Sequence, residues 1–539
     1  MGLCNALFAI CWLPSSKLMT QTDRTFEAKA PGHLTTRDKA LAVSVFAVLL
    51  VLQIVYAAVA DLRTDEAYYW TWSKEYVLSF LDHPPMVAWF VKFGTAIFGD
   101  TNFGARFGSL LGIWTTQALI GDIVWRQTRN ARVTALAVLM PSVALEYGLF
   151  GSRILPDAAL IPFAMAMAWA LIRLAHSGDG RWWLLAGLFG GLALLSKYTV
   201  VLFVPPIFAF VLVPSWRGRW IKSVYPWLAV LIALAMFSPV LYWNWQNDWA
   251  SFRFQFVRVG ADHGISARTL GDFIGLQAVL VGPLLFPVVL AGLAMLAWRG
   301  YRRLDPVSIL LATCALVPFA FFLWRSLSLR VGDTWPLLIW PFAFVAAAIN
   351  LHELAHAPRT NLITRTAERW AIAAIGVGAV LNVVVFYYYA ISQDPGAGAR
   401  DPVGKESGYR EIAQQAKAAA DKSGAAWIAT LDYRIYAELR WHLKDSIPVI
   451  QVNERSRFLG FAEHRRTEIF SSPGLYVNTA PNDNIGMKDS PAIFQLVGRA
   501  DRVWRGVVID TFEFKKILNW KPELSPPSDS PFYRWRSLS

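Results

Sequence analysis

Long apolar segments recur through the first 391 residues of this chain, and they constrain its fold more than any other feature. A hydrocarbon core is about 30 Å thick, so a helix needs about 20 apolar residues to cross it. Eleven segments reach or approach that length: 38–60, 103–125, 131–149, 156–175, 182–196, 199–214, 223–243, 273–298, 306–324, 335–351 and 370–391. The composition agrees, because 55% of the 539 residues are hydrophobic and only 17% are charged. The pattern predicts an all-α polytopic membrane protein with about 11 to 13 transmembrane helices.

The basic residues of alternate loops predict the orientation of these helices. Loops rich in Lys and Arg tend to face the cytoplasm, and one alternate set carries Arg126, Arg129 and Arg132; Arg173 and Arg181; Arg217, Arg219 and Lys222; Arg299, Arg302 and Arg303; and Arg359, Arg365 and Arg369. Residues 1–37 are expected to form a cytoplasmic tail, because their apolar stretch is shorter than a span and no clear cleavage site follows it. Since these loops account for the net charge of +13, we do not expect nucleic-acid binding.

The same pattern divides the chain into parts. Residues 38–391 are expected to form the transmembrane domain, with 61–102 as the first periplasmic loop. The apolar stretch PPMVAWFVKFGTAIFGD in that loop is expected to be an outer juxtamembrane helix, because a crossing there would reverse the arginine pattern of every later loop. Segments 182–196 and 199–214 are short, so they are expected to tilt, or their junction to lie recessed in a cavity.

Residues 392–539 differ in character and are expected to lie on the periplasmic side. After a polar linker, helix-like segments at 409–424 and 433–443 alternate with strand-like segments at 425–431 and 447–452, and later strand candidates are GLYVNT, IFQLVG and RGVVIDTFEF. This alternation predicts a small C-terminal α/β domain. Neither helix follows a Gly-rich phosphate loop, so no nucleotide is expected. The only cysteines, Cys4, Cys11 and Cys314, lie elsewhere, so no disulfide is expected there.

Ionisable residues collect in the loops assigned to the outer side. They are Asp65, Glu66, Asp82 and His83 in the first loop, Arg153 and Asp157 in the second, Lys197 in the third, His263 in the fourth, and Arg330 with Asp333 in the fifth. Charged groups at membrane depth are costly and tend to mark a site or a pathway. The sequence therefore predicts that these side chains converge on one outer surface.

Individual residues keep alternative interpretations. Asp157 follows a proline at the start of a span, where an aspartate also serves as a helix cap. Lys197 is suited to binding an anion but also to snorkelling. His83 fits a metal ligand, a phosphate contact or a solvated loop residue. The aromatic run YYWTW (68–72) is by default an interfacial belt, with sugar stacking as the alternative.

Several of these motifs together resemble the GT-C membrane glycosyltransferases. They are TDEAYYW after the first span, then DHPPMVAWF, PDAAL at the start of a later span, SKYT, and SPVLYWNWQNDWASFRFQ. The similar branch includes protein O-mannosyltransferases, the aminoarabinose transferase of lipid A and rhizobial galacturonosyltransferases of lipopolysaccharide, and the resemblance covers roughly residues 40–350. It implies a polyprenyl-phosphate sugar donor and a lipid A or lipopolysaccharide-core acceptor at the outer face of a bacterial inner membrane.

The resemblance also implies roles for single residues. Asp65 matches the family's essential aspartate and is expected to be the general base for an inverting transfer, with Glu66 and Asp157 as further catalytic carboxylates. Lys197, Arg153, His263, Arg330 and His83 are expected to bind the donor phosphate. Asp82, His83 and His263 are candidate ligands for a divalent metal ion, and no other cofactor is expected. The chain has Asp-His-Pro-Pro where the aminoarabinose branch has Glu-Lys-Pro, which argues against aminoarabinose and favours the galacturonosyl type.

Three competing functions stay open at this point. Transfer of a sugar to protein belongs to the same class of enzyme. A transporter of lipid-linked sugars also places polar groups between spans, although it would need them on both faces. A structural assembly protein would give the outer carboxylates no reason to lie near one another.

Overall fold

The computed structural model describes residues 35–260, 264–356, 361–461, 467–480 and 494–518. Its α-helices are α1 (Thr36–Val59), α2 (Thr64–Ser73), α3 (Met86–Phe98), α4 (Asn102–Thr128), α5 (Ala131–Val143), α6 (Pro156–Ser177), α7 (Arg181–Leu194), α8 (Val204–Val211), α9 (Arg217–Ile221), α10 (Tyr225–Gln246), α11 (Ala250–Gly260), α12 (Ala267–Val281), α13 (Leu285–Arg303), α14 (Pro306–Arg325), α15 (Trp340–His356), α16 (Asn361–Ala390), α17 (Tyr409–Ser423) and α18 (Tyr433–Leu443). The strands are β1 (Trp427–Thr430), β2 (Val449–Gln451), β3 (Gly474–Thr479), β4 (Phe494–Trp504) and β5 (Val507–Ile517). Most of the expected cytoplasmic tail, and His263, lie outside the described residues.

Local sequence sets where many helices begin. Asn130 accepts hydrogen bonds from two backbone N–H groups at the start of α5, and Asp305 caps α14 just before Pro306. Pro156 occupies the first turn of α6, where its missing N–H is not needed. These caps satisfy backbone groups that a helix end otherwise leaves unpaired.

The predicted polytopic membrane protein is confirmed, but its helices differ in length from the predicted spans. Among the described residues, seven helices are long and apolar enough to cross a membrane: α1, α4, α6, α10, α14, the segment Trp335–Ala355 that includes α15, and Thr366–Ala390 within α16. An eighth is counted if α12 and α13 are taken as one span bent by 102°. Segments 131–149, 182–196 and 199–214 form shorter apolar helices. A 13-residue helix such as α5 extends only about 20 Å, so it is one of the segments that approach the length of a full span without reaching it.

The break between α12 and α13 has a local cause. Gly282 has a φ of +109°, a conformation that L side chains rarely adopt, and Pro283 follows it. The apolar segment predicted over 273–298 is therefore not one straight helix but two helices that meet at an angle of 102°. The bend brings Leu276 and Leu280 of α12 to the wall of the large cavity described below.

Helix α6 and the segment Trp335–Ala355 lie innermost, with 78% of their apolar windows buried. By contrast, α1 and α10 are only 22% buried over the same length and expose apolar side chains such as Leu41 and Val230. Exposed apolar surface of this extent is expected where lipid tails replace water as the solvent.

The C-terminal α/β domain contains a mixed five-stranded sheet in the order β2-β1-β3-β5-β4. Strand β1 pairs in parallel with β2 and β3, whereas β5 pairs antiparallel with β3 and β4. The two helices predicted from the sequence are present as α17 and α18. Helix α18 packs against α2 of the membrane domain, and the rings of Trp70 and Trp441 meet edge to face at 5.1 Å between centroids. The sheet domain and the first outer loop thus share one hydrophobic core.

Candidate active site

A large cavity lies where the ends of the membrane helices meet the C-terminal domain. Its volume is about 1950 Å³. The predicted site residues that line it are Asp65, Asp82, His83, Arg153, Asp157, Lys197 and Arg330. These residues come from four separate loops that the sequence assigns to the outer side, and the fold brings them together on one cavity wall. The two predicted site residues that are missing from this wall are Glu66, which points elsewhere, and His263, which lies outside the described residues.

Asp65 lies in the first turn of α2, where the helix dipole favours a negative charge. Its carboxylate is open to the cavity, although protein surrounds it on its other sides. Burial raises the pKa of Asp65 above its usual value and the charge of Asp82 acts in the same direction, while the hydrogen bond from Tyr433 and the charge of Arg457 oppose the rise. The Tyr433 hydroxyl donates to Oδ1 of Asp65 at 3.2 Å. A carboxylate with a raised pKa is a better proton acceptor.

Glu66, the next residue, faces away from the cavity and is 1% exposed. Both its oxygens accept hydrogen bonds from Arg106, at 2.8 and 2.6 Å, and it also accepts from the backbone N–H groups of Arg63 and Ile154. Burial tends to raise the pKa of Glu66, but Arg106 and these hydrogen bonds outweigh it and hold the pKa below its usual value. Since the carboxylate is fully occupied and remote from the cavity, Glu66 holds the start of α2 in place and the expectation that it is catalytic is corrected.

Asp157 and Lys197 form a buried ion pair, with 2.5 Å between Oδ2 and Nζ. Lys197 lies at the break between α7 and the 3-10 helix Tyr198–Phe203, the junction that the sequence predicts to be recessed. The N-cap of α6 is Leu155, and Asp157 lies in the first turn, where a negative charge still favours the helix start in addition to its ion pair with Lys197. The other oxygen of Asp157 is buried and has no hydrogen-bond partner among the described residues.

Arg153 is buried beside two carboxylates. It forms a salt bridge with Glu146, lies 3.8 Å from Asp333 between Nη1 and Oδ2, and packs over the ring of Phe150. The positive charge of Arg153 is thus largely compensated before any ligand arrives. Glu146 was not singled out from the sequence, because a lone acid in an apolar loop gives no pattern that indicates its partner.

Paired charges account for most of the polar wall of the cavity. The ion pairs are Asp82 with Arg457, Asp157 with Lys197, Asp248 with Arg253, Asp333 with Arg153, and Glu406 with Arg63. Within the described ranges, Asp65 is the lining acid that forms no salt bridge, and Arg330 is the lining cation that forms none. Arg330 is exposed towards the cavity and is the cation most available to an incoming anion.

Asp82 does not have the surroundings of a metal ligand. Its Oδ1 lies 2.5 Å from Nη1 of Arg457, and its Oδ2 accepts a hydrogen bond from the Tyr68 hydroxyl at 3.1 Å. A guanidinium this close would repel a divalent cation. In the part of the chain that the structure describes, no group of three His, Cys, Asp or Glu residues could hold a metal ion. The described residues therefore do not fit the expected metal site, and no chemical step is assigned to a metal.

The C-terminal domain contributes residues to the cavity that sequence reasoning missed. Tyr433, Arg457 and Glu406 line it together with the membrane-domain residues. The signal available in the sequence was weak, because Tyr433 begins an ordinary amphipathic helix and Arg457 lies in a short 3-10 helix, Arg455–Phe458. Only the docking of this domain onto α2 brings them to Asp65.

Comparison with known proteins shows which sequences this chain resembles. Residues 82–243 match the family described as dolichyl-phosphate-mannose-protein mannosyltransferase. The chain is 26% identical over 338 residues to the lipid A galacturonosyltransferase RgtD of Rhizobium johnstonii, an alignment that covers 61% of each chain. It is 27% identical over 252 residues to an undecaprenyl phosphate-α-4-amino-4-deoxy-L-arabinose arabinosyl transferase of Sodalis glossinidius, over 46% of this chain and 45% of that one. The matched parts thus span less than two thirds of these curated relatives.

The fold itself has close counterparts among solved structures. The crystal structure of ArnT from Cupriavidus metallidurans bound to undecaprenyl phosphate superposes with a TM-score of 0.60 at 15% identity, covering 91% of this chain and all of that one. An Archaeoglobus fulgidus oligosaccharyltransferase superposes with a TM-score of 0.50 at 11% identity, over 83% of this chain and 70% of that one. The fold is therefore of the GT-C type that these solved structures share. In part of its sequence the chain is similar to these glycosyltransferases, and over most of its length its fold is similar to that of ArnT.

Proposed function

We propose that this protein is a glycosyltransferase that moves a sugar from a polyprenyl-phosphate donor to lipid A or the lipopolysaccharide core, with Asp65 as general base. One observation carries the proposal: the Asp65 carboxylate is open to a cavity of about 1950 Å³ and makes no salt bridge among the described residues, while Arg330 and Lys197 line the same space. The names of the relatives support the substrate class, since they describe transfer to lipid A and undecaprenyl-phosphate sugars.

The reaction follows from these roles. Asp65 accepts the proton of an acceptor hydroxyl as that oxygen attacks the anomeric carbon of the sugar. The new carbon–oxygen bond forms while the bond to the phosphate oxygen breaks, and the polyprenyl phosphate leaves with the bonding electrons. Attack from the side opposite the phosphate inverts the configuration. The leaving phosphate gains negative charge, and Arg330 is the lining cation best placed to stabilise it, because the charges of Lys197 and Arg153 are already offset by Asp157 and Glu146.

Charge balance in the cavity favours an acidic sugar. A cationic aminosugar would need a free carboxylate, but every lining acid other than Asp65 is ion-paired within the described ranges. Arg330, by contrast, has room for an anionic group. A uronic acid such as galacturonate is therefore our expected donor sugar, in agreement with the name of the Rhizobium relative.

The same proposal fixes the orientation of the molecule. Residues 38–391 form the catalytic domain of a multi-pass inner-membrane protein, residues 1–37 face the cytoplasm, and residues 392–539 face the periplasm. The alternation of basic loops supports this arrangement. In this orientation the cavity opens on the periplasmic side.

The test is transfer in proteoliposomes containing lipid A and either polyprenyl-phosphate galacturonate or polyprenyl-phosphate aminoarabinose, followed by mass spectrometry of the lipid. We expect wild-type protein to add the uronic acid, and Asp65→Asn to lose about 10²- to 10⁴-fold of the rate while still binding donor. Asp100→Asn is the matched control, because Asp100 pairs with Lys74 away from the cavity. Equal transfer by Asp65→Asn would refute the role of the base.

A second acceptor class is supported by the family match at 82–243, whose description names protein as the acceptor. Labelled sugar appearing in protein and absent from lipid would select that function. Movement of the intact lipid-linked sugar across the bilayer without transfer would select a transporter instead.

A further inference from the structure

The contact between Asp65 and the C-terminal domain is built with several supports. Tyr433 is the first residue of α18, and its hydroxyl donates to Oδ1 of Asp65 at 3.2 Å. Its backbone N–H donates to Oε2 of Glu454 at 3.1 Å, and its ring meets that of Tyr68 at 4.8 Å between centroids. The guanidinium of Arg457 lies 4.4 Å from the centroid of the same ring. The backbone, the ring and the hydroxyl of Tyr433 are thus each held by a different partner.

The domain that carries Tyr433 is itself firmly docked. Arg457 reaches Asp82 of the first outer loop at 2.5 Å, and Arg410 reaches Asp61 at 3.0 Å. Beneath these ion pairs, Trp70 and Trp441 belong to one continuous buried cluster. A contact made through such an interface keeps its geometry, because moving it would expose apolar area and separate the largely buried pair Arg457–Asp82. The pair Arg410–Asp61 is exposed and adds little.

We propose that Tyr433 is a positioning residue for Asp65, so that the C-terminal domain completes the catalytic site. This inference rests on the proposed function. The hydroxyl holds Oδ1 and fixes the plane of the carboxylate, which leaves Oδ2 directed at the acceptor. A base that rotates freely would spend less time within hydrogen-bond reach of its proton. Tyr433 keeps its own proton, because burial and the nearby charge of Asp65 raise the pKa of Tyr433 above its ordinary value.

The contact also affects the protonation of Asp65. The groups facing Asp65 from the surrounding elements are Tyr433 and Arg434 of α18, Arg457, Asp82, Glu406 and Tyr69. Burial and the nearby acids raise the pKa of Asp65, whereas the Tyr433 hydrogen bond and the arginines lower it. Removing the hydroxyl therefore raises the pKa of Asp65 further, so that a larger fraction is protonated and unable to act as a base at a given pH.

The experiment uses Tyr433→Phe in the full-length protein, which keeps the ring and removes the hydroxyl alone. We expect kcat for sugar transfer to fall about 10- to 100-fold, since a hydrogen bond to a charged group contributes about 1.5–3 kcal/mol. The acidic limb of the pH–rate profile should move to higher pH, while KM for the donor changes less than about twofold, because the hydroxyl is engaged by Asp65. The control is Tyr436→Phe on the same helix, whose hydroxyl accepts from Arg440 outside the cavity.

A second readout does not depend on transfer. A water-soluble carbodiimide with glycine ethyl ester labels protonated carboxyl groups, and peptide mass spectrometry reports labelling of Asp65 as a function of pH. We expect the midpoint to move upward in Tyr433→Phe and to stay in place in Tyr436→Phe. An unchanged midpoint together with an unchanged kcat would overturn the proposal. If the midpoint moves but wild-type protein transfers no sugar, the contact stands and the proposed function fails.

Discussion

Substitution of Glu66 should destabilise the fold, whereas substitution of the neighbouring Asp65 should stop sugar transfer with little effect on stability. Glu66 accepts four hydrogen bonds, two of them from Arg106, and the two side chains of this ion pair are 2% and 0% exposed. Glu66→Ala leaves the Arg106 charge buried without its partner, a loss that costs about 3–5 kcal/mol. At about 1.4 kcal/mol per tenfold, the ratio of folded to unfolded protein should fall at least a hundredfold. Asp65→Asn, whose side chain is open to the cavity, should leave this ratio nearly unchanged.

The pair can be tested by a double-mutant cycle. Glu66→Leu combined with Arg106→Met removes both charges and should be less destabilising than either single substitution, because neither variant residue leaves a buried charge behind. Some loss remains, since Arg106 also donates to the carbonyls of Ala60 and Asp61 at the end of α1. Unfolding in mixed detergent micelles, followed by tryptophan fluorescence, measures each free energy.

Acid titration offers an independent check of the same pair. The pKa of Glu66 is held below its usual value of 4.5. The stability contributed by the depressed pKa is therefore present above about pH 4.5 and is lost as pH falls through the folded-state pKa. Glu66→Gln should lack this component of the acid dependence. If Glu66→Ala folds as stably as wild type yet transfers no sugar, the structural role is wrong and a catalytic role returns.

Three further outcomes are expected. Lys197→Met should destabilise the protein by about 3–5 kcal/mol and abolish transfer, because it leaves buried Asp157 without its cation. Asp157→Asn together with Lys197→Met should restore stability in the same unfolding assay without restoring transfer. Restored transfer in the double variant would contradict the role of the pair. Arg330→Gln should raise KM for an anionic donor about tenfold, which donor titrations would measure. Stability should change little, because Arg330 makes no salt bridge among the described residues. An unchanged KM would remove Arg330 from the donor site. The rate of transfer should increase as pH rises through the pKa of Asp65, because this base works only when it is deprotonated. Burial raises that pKa above the usual 3.8 of an aspartate. A rate that falls over this range would argue against a carboxylate base.

The sequence by itself determined the class of fold and seven of the ionisable residues that line the cavity. Apolar length identifies membrane helices, alternation of strand-like and helix-like segments identifies the C-terminal domain, and a polar break such as Ser196–Lys197 between two short apolar runs identifies a recessed site. These signals are local, because each depends on a spacing or a composition within a few tens of residues.

The tertiary structure decided what each charged residue contacts. Asp65 and Glu66 are adjacent, but successive helical residues point about 100° apart, so packing sends one into the cavity and the other to Arg106. Tyr433 and Arg457 come from more than 360 residues further along the chain, as the hydrogen bonds to Asp65 and Asp82 show. No periodicity connects positions so far apart. Their meeting depends on the hydrophobic core that α2 shares with the C-terminal domain, which only the folded chain defines.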